Sequence, residues 1–329
     1  MEDVFVRRDL IQPDTLRALS IKSDRAGWIQ LGSHAAAIVG TGILLSLTWG
    51  SWVAVPVFIA HGILLNFLYA GQHEFSHWTV FKTKKLNEIC GRAIGFLMLY
   101  PRDFDQIQHF AHHRFTQDWA KDGELGRPKF TFMSYILWLL GPTYWYSRIR
   151  RLFRFTAGIV TEPYVPDDRK AGLILEARIH MAGYALIALV SLAAGSWAAV
   201  TYWLAPLILT KGFHQLQNTI EHIGLSHESN ILENTRSTRT NAFMRWLGWN
   251  MQYHTAHHAF PGVPFHKLPD LDQTIFGKNG IEPHRMGYFE FQRSVLDALW
   301  HVRSEAEFPD DLSWVDEKKM KAATAAAAE

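Results

Sequence analysis

Seventeen histidines occur among 329 residues, and most of them are gathered into short strings rather than scattered. The first string is His73-Glu74-Phe75-Ser76-His77, the second His109-Phe110-Ala111-His112-His113 and the third His254-Thr255-Ala256-His257-His258. A fourth group pairs Asn218 with His222, and His214 stands one turn earlier on the same face. Spacings of i, i+4 or i, i+3, i+4 put side chains on one face of a helix, about 5–6 Å apart at Cβ. That is the geometry in which two or three imidazoles converge on a metal ion. Two separate H-x-x-H-H strings are far beyond chance, and a His-rich composition itself reads as metal binding.

The strings and His222 hold nine histidines, which is too many for one ion, since zinc sites take about four ligands and catalytic ones keep about three from the protein. Two ions with four or five ligands each would use them. Neutral imidazole suits iron, zinc, copper and nickel. Carboxylate-bridged di-iron bundles instead rely on Glu and Glu-x-x-His, so this ligand set is of another kind. One competing motif is present: His73-Glu74-Phe75-Ser76-His77 is a literal H-E-x-x-H, the zinc-and-general-base motif of metalloproteases. It explains five residues and leaves both H-x-x-H-H strings idle. The single cysteine, Cys90, excludes an intramolecular disulfide framework and cannot supply an iron–sulfur cluster. No G-x-G-x-x-G fingerprint is present, so electrons for redox chemistry would come from outside the chain.

The elements that must position these residues are written in the charge distribution. No Asp, Glu, Lys or Arg occurs from Ala26 to His73 or from Ile179 to Thr210. Soluble helices need a charged face, and a membrane span needs about 20 apolar residues. Turn and interface residues break the first stretch at Thr48-Trp49-Gly50-Ser51-Trp52 and the second at Gly195-Ser196-Trp197. The expectation is therefore an all-α integral membrane protein with four transmembrane helices in two hairpins, near residues 30–48, 53–72, 178–194 and 198–217. A helical cap over residues 73–177 and 218–308 carries the histidine strings, all within one domain, and 309–329 is a tail without chemistry. Lys82, Lys84, Lys85, Arg148, Arg150, Arg151 and Arg154 lie between spans two and three, whereas the hairpin turns hold no Lys or Arg. The positive-inside rule then places the cap and both termini in the cytoplasm, at the plasma (inner) membrane. All four histidine groups fall on that one side, so a single site can use them. A metal carrier would instead line its spans with histidines; His34, His61 and His180 are read as structural or unassigned. The segment from Phe130 to Phe155 mixes Trp and Tyr with arginines, as an interfacial helix does, or else as an ordinary buried helix with one basic face does. No apolar segment of signal-peptide type stands at the N-terminus, and a formal net charge of +2 gives no argument for nucleic acid.

The pattern H-x3-H, H-x2-HH, H-x2-HH resembles the membrane fatty acid desaturase superfamily, which also contains hydroxylases. The flanks agree: Asn250, Tyr253, His254, His257, His258, Pro261, Val263 and Pro264, followed by Leu268-Pro269, look like that family's third box. The likeness runs from the first span to Pro269. By that resemblance the metals are two iron ions, and their ligands are His73, His77, His109, His112, His113, His222, His254, His257 and His258. Asn218 approaches one iron, directly or through water. No catalytic residue separate from the metal site is expected. O2 is the co-substrate, and a ferredoxin, rubredoxin or cytochrome donates electrons. Glu74, Asp105, Glu221 and Asn250 are candidates to orient ligand imidazoles, or else solvated residues at helix ends; His214 is either such a partner or an uninvolved histidine. Desaturation of a fatty acyl chain is the leading reading of the reaction, hydroxylation of a lipid or smaller substrate the next, and intramembrane proteolysis the third.

Overall fold

A computed structural model of the chain describes residues 10–125, 127–309 and 313–315; the alanine-rich stretch 322–328 lies outside them. The helices run in the order α1 (Pro13–Leu19), α2 (Asp24–Thr48), α3 (Ala54–Ser76), α4 (Lys84–Leu97), α5 (Arg102–Arg114), α6 (Phe132–Leu140), α7 (Pro142–Thr156), α8 (Asp167–Ala193), α9 (Ala205–Leu209) and α10 (Lys211–Ile220). Shorter elements follow: α11 (Ile231–Asn234), β1 (Arg236–Thr238), α12 (Ala242–Leu247), α13 (His254–Ala259), α14 (Leu268–Asp272), β2 (His284–Met286) and α15 (Tyr288–Leu299). The chain divides into two compact units, one made of residues 22–108 with 140–215, the other of the remaining segments.

The first unit holds the apolar helices. Among the described residues, α2, α3 and α8 are long and apolar enough to cross a membrane. Ser23 Oγ caps the start of α2 by accepting from Ala26 N at 3.2 Å, which satisfies one orphan donor of the first turn. Most of α2 and α8 buries nothing within the protein: Leu47 and Leu192 are each 79% exposed. Helices apolar on their outer faces require lipid as their solvent.

The stretch expected as a fourth span, 198–217, is helical in pieces. A π turn over Val200–Leu204 leads into α9, and the helix breaks again at Thr210 before α10. Such breaks free backbone carbonyls that lipid cannot satisfy. Polar side chains of α3 satisfy them instead. His61 Nε2 donates to Tyr202 O at 2.8 Å, and Asn66 Nδ2 donates to Leu207 O at 2.9 Å and to Thr210 Oγ1 at 3.0 Å. His34 Nε2 donates to Leu64 O at 2.9 Å. His180 Nδ1 meets Tyr184 Oη at 3.1 Å. The histidines within the apolar stretches thus hold backbone and neighbouring helices. In α7 the exposed face carries Tyr146, Ile149, Arg150 and Phe153, the composition a helix at a lipid–water boundary needs.

The second unit is built on a core of Phe130, Tyr135, Ile220, Met286, Phe291, Val295 and Leu299. Strands β1 and β2 pair in parallel, with Arg236 opposite His284 and Thr238 opposite Met286. The tail takes part in this core: Val315 is fully buried. Its N–H donates to Gly224 O at 2.9 Å. Gly224 has φ +76°, and a Cβ there would stand 2.6 Å from Val315 Cβ, so only glycine fits that turn.

The close approach of α3 to the broken segment rests on Gly62. A Cβ at Gly62 would stand 2.4 Å from Thr210 Oγ1 and 2.6 Å from Pro206 O, whereas one at Gly40 would meet nothing within 4 Å. We expect Gly62→Val to destabilise the detergent-solubilised protein by about 1–3 kcal/mol, an overpacking cost, and Gly40→Val to leave it unchanged. Thermal unfolding midpoints of the two variants check this; equal midpoints would refute the contact.

Candidate metal centre

Helix α5 carries the second histidine string and α13 the third. The turn into α13 is sharp because Trp249 and Asn250 both adopt left-handed backbone, φ +52° and +63°, an uncommon state for non-glycine residues. Asn250 steadies it: its N–H donates to Arg245 O at 2.8 Å and its Nδ2 to Phe265 O at 3.1 Å. His222 follows the end of α10, in a turn held from several directions. Arg236 N donates to Glu221 O at 2.8 Å, and Arg236 Nη1 donates to Ile220 O and Ile223 O at 2.7 and 3.0 Å. A buried arginine therefore caps the carbonyl end of α10, as cations do, while its Nη2 reaches Val315 O.

These elements bring His112, His222, His254 and His258 together, with one ligand nitrogen from each lying within 4.8 Å of the others. His222 Nε2 stands 3.1 Å from His112 Nε2 and 2.8 Å from His254 Nε2. His258 Nε2 is buried with no hydrogen-bond partner. Beside them, His113 Nε2 lies 2.9 Å from His109 Nε2 and 3.2 Å from His257 Nε2. Ligands 2.0–2.1 Å from one ion are about 3.0 Å apart at right angles and about 3.4 Å apart in a tetrahedron. The observed spacings fit that requirement for both groups.

The opposite ring nitrogens explain why Nε2 faces inward. His112 Nδ1 donates to Asp122 Oδ1 and Oδ2 at 2.9 and 3.0 Å, and His109 Nδ1 donates to Glu124 Oε1 at 3.2 Å. His222 Nδ1 donates to Asn234 O at 3.0 Å, and His258 Nδ1 meets Thr116 Oγ1 at 3.4 Å. A proton fixed on Nδ1 leaves the Nε2 lone pair for a metal and orients the ring. Burial disfavours charge on His112, but the carboxylates of Asp122 and Glu124 outweigh it and raise the ring to about 9. Burial, reinforced by neighbouring rings, holds His222 and His258 well below the ordinary range. An arriving metal would displace the His112 proton, the usual competition at such sites.

His73 and His77 stand at the C-terminal end of α3 in the first unit, their ring centroids 5.5 Å apart. Glu74 Oε1 is 3.8 Å from His73 Nδ1, while its Oε2 accepts from Thr79 Oγ1 at 2.6 Å. Asp105 accepts from Tyr69 Oη at 3.3 Å and Ser76 Oγ at 3.2 Å. Glu221 Oε1 lies 3.7 Å from His254 Nδ1 and accepts from Gln217 Nε2 at 2.7 Å; burial raises its carboxyl to about 8. His214 Nδ1 accepts from Lys211 Nζ at 3.0 Å. Asn218 is half-buried in the last turn of α10. Sequence reasoning missed Asp122, Glu124, Asn234 and Thr116, which do the orienting expected of other residues. The signal was available in the acids Asp118, Asp122 and Glu124 just beyond the second string.

A model of the fatty acid desaturase family matches residues 47–292. This chain belongs to the fatty acid desaturase family. It is 24% identical over 255 residues to a sphingolipid delta(4)-desaturase of Drosophila melanogaster, covering 74% of this chain and 72% of that one. An acyl-lipid (9-3)-desaturase of Physcomitrium patens is 25% identical over 88% of this chain, which spans 61% of that protein. A sphingolipid delta(4)-desaturase/C4-monooxygenase of Rattus norvegicus is 23% identical over 87% of this chain and 83% of its own length. Family membership, together with the three apolar helices, makes the protein a membrane oxidoreductase. It also sets aside the protease reading of the H-E-x-x-H string, which left seven clustered histidines without a role.

Asp122 is the most tightly engaged of the orienting groups. Asp122→Asn should weaken metal affinity about 10–100-fold, the usual cost of losing an outer partner. Competition with a chelator on wild type and variant measures this; equal affinities would remove Asp122 from the site.

Proposed function

We propose that the protein desaturates the acyl chain of a lipid, using O2, two iron ions and electrons from a separate protein of the ferredoxin, rubredoxin or cytochrome type. The observation that carries this reading is the pair of imidazole groups with Nε2 atoms within 3.2 Å of a neighbour. One ion would be held by His112, His222, His254 and His258. The other would be held by His109, His113 and His257; His73 and His77 are proposed as further iron ligands on the resemblance of their string. Asn218 is assigned beside His222, direct or through water. When bound, the metal pair supplies the oxidising power that no acid, base or nucleophile of the chain possesses against a methylene.

The chain's own residues do the rest. Asp122, Glu124, Thr116 and the Asn234 carbonyl fix the rings before any metal arrives, so little reorganisation is needed. Burial of His109, His112, His254, His257 and His258 would keep water from the oxidant. The bilayer delivers the substrate, because a bilayer-embedded enzyme meets acyl chains first. The topology that goes with this reading has four crossings, with 198–217 as the broken fourth, and places both termini and the histidine groups on the cytoplasmic side.

Hydroxylation is the second reading, favoured by the C4-monooxygenase in the rat relative's description. Removal of two hydrogens yields an alkene; removal of one with transfer of oxygen yields an alcohol. We expect purified protein to carry two irons per chain and His222→Ala to lose at least one. Reduced wild type should consume O2 and convert acyl lipid to a product lighter by two hydrogens. A product heavier by one oxygen would select hydroxylation. A single zinc, retained in His222→Ala, would sink the di-iron reading.

A further inference from the structure

One short segment of the second unit, residues 234–237, holds two ligand-bearing stretches at once. The Asn234 carbonyl accepts from His222 Nδ1 at 3.0 Å, and Arg236 N donates to Glu221 O at 2.8 Å. Ser237 Oγ accepts from Thr255 N at 3.3 Å and donates to Thr255 Oγ1 at 3.2 Å, which ties the same segment to α13 between His254 and His257. The Arg236 side chain is fully buried. It donates to Ile220 O and Ile223 O, on either side of His222 in the chain, and its Cζ lies 4.9 Å from the centroid of the Phe291 ring. Its remaining branch, Nη2, donates to Val315 O, 79 residues further on. That bond is tertiary, so seating of the tail is an event separate from formation of the turn.

The tail closes the arrangement. Trp314 N and Val315 N both donate to Gly224 O, at 3.0 and 2.9 Å, and Val315 is fully buried in the core of the unit. A buried guanidinium keeps its place only while its donors have acceptors, and a buried charged donor that loses one costs more than a neutral one. Without the tail, Arg236 loses an acceptor and is drawn toward water, and the carbonyls flanking His222 lose their shared donor. Asn234 orients the His222 ring, Arg236 orients the backbone that carries it, and the tail holds Arg236. An ion that binds the four-imidazole group better with the tail seated must, by reciprocity, hold the tail down.

We propose that Arg236 and residues 313–315 are positioning residues for His222, so that the tail acts as a latch on the ion held by His112, His222, His254 and His258. This rests on the metal reading above and extends it to a segment outside the ligand set. The linkage is between binding and tail seating, so it can be measured without turnover.

The test is amide hydrogen exchange on the full-length protein in detergent, under anaerobic conditions, with and without ferrous ion. Loading with metal should slow exchange at Trp314 and Val315 about tenfold, the size of effect that goes with an outer partner of a ligand. Phe132 N, bonded to Val302 O in the same core, should keep its rate. Chelator competition on Val315→Asp should show one ion bound about tenfold more weakly, by the same linkage, and the other as in wild type. Arg236→Met should match it, and Arg236→Lys, which keeps the charge and loses the fork, should fall between. Leu299→Ala removes packing from the same core and none of these bonds; it should lower the unfolding midpoint and leave both affinities intact, which separates positioning from stability. Equal slowing at Phe132, equal weakening in Leu299→Ala, or a Val315→Asp protein that binds both ions as wild type does would overturn the latch alone. Wild type that binds no ion would overturn the metal reading and the latch with it.

Discussion

Imidazoles whose lone pairs face one another at about 3 Å repel, and no arrangement of their own protons satisfies all of them. That constraint governs the second unit. The rings of His112, His222 and His258 are held in this opposition because their outward nitrogens have somewhere better to put a proton: a carboxylate, a backbone carbonyl or a hydroxyl. The loop after the second string exists to make this possible. Asp122 accepts from Gln117 N and Glu124 N at 2.9 and 2.8 Å, so the loop's own backbone fixes the carboxylate that fixes the ring. Gln117 in turn donates to His222 O at 2.7 Å. Protein order is spent on an arrangement that is unfavourable until a cation occupies it, which is how binding and folding free energy become one quantity.

The same logic operates differently among the apolar helices. There the unfavourable groups are backbone carbonyls released by the π turn and by Pro206, and the remedy is a small set of polar side chains on α3. Irregular backbone is tolerated at membrane depth only when protein satisfies it. His61 and Asn66 therefore serve packing, although their residue types invite a functional reading. Gly62, between them, lets the helix approach the break closely enough for both bonds.

What was legible in the sequence follows from what is local. His109, His112 and His113 share a helix, so three letters at i, i+3, i+4 predict three rings on one face. The charge-free runs likewise predict α2, α3 and α8, because length and apolarity are counted along the chain. The orienting residues were not legible. Asp122 reaches His112 through a loop with a left-handed Gln117, and Asn234 offers His222 a carbonyl, which no side-chain pattern reveals. The tail looked inert by composition, yet Val315 closes the turn that carries His222. Lys211 follows directly on an apolar run, and its complete burial is a tertiary fact that periodicity does not contain.

Selectivity in such an enzyme is a question of where the substrate is anchored. On the proposed reading the oxidant would be held by rings that are themselves fixed, and every methylene of an acyl chain is chemically alike. Discrimination between them must come from geometry, since near-attack placement is worth far more than any difference in bond strength. A substrate held by its head presents a carbon counted from the carboxylate, whatever the length of the tail. One held only by an apolar tunnel presents a carbon counted from the methyl end. On the proposed desaturating reading, the position of a new double bond as the chain is lengthened tells the two rulers apart.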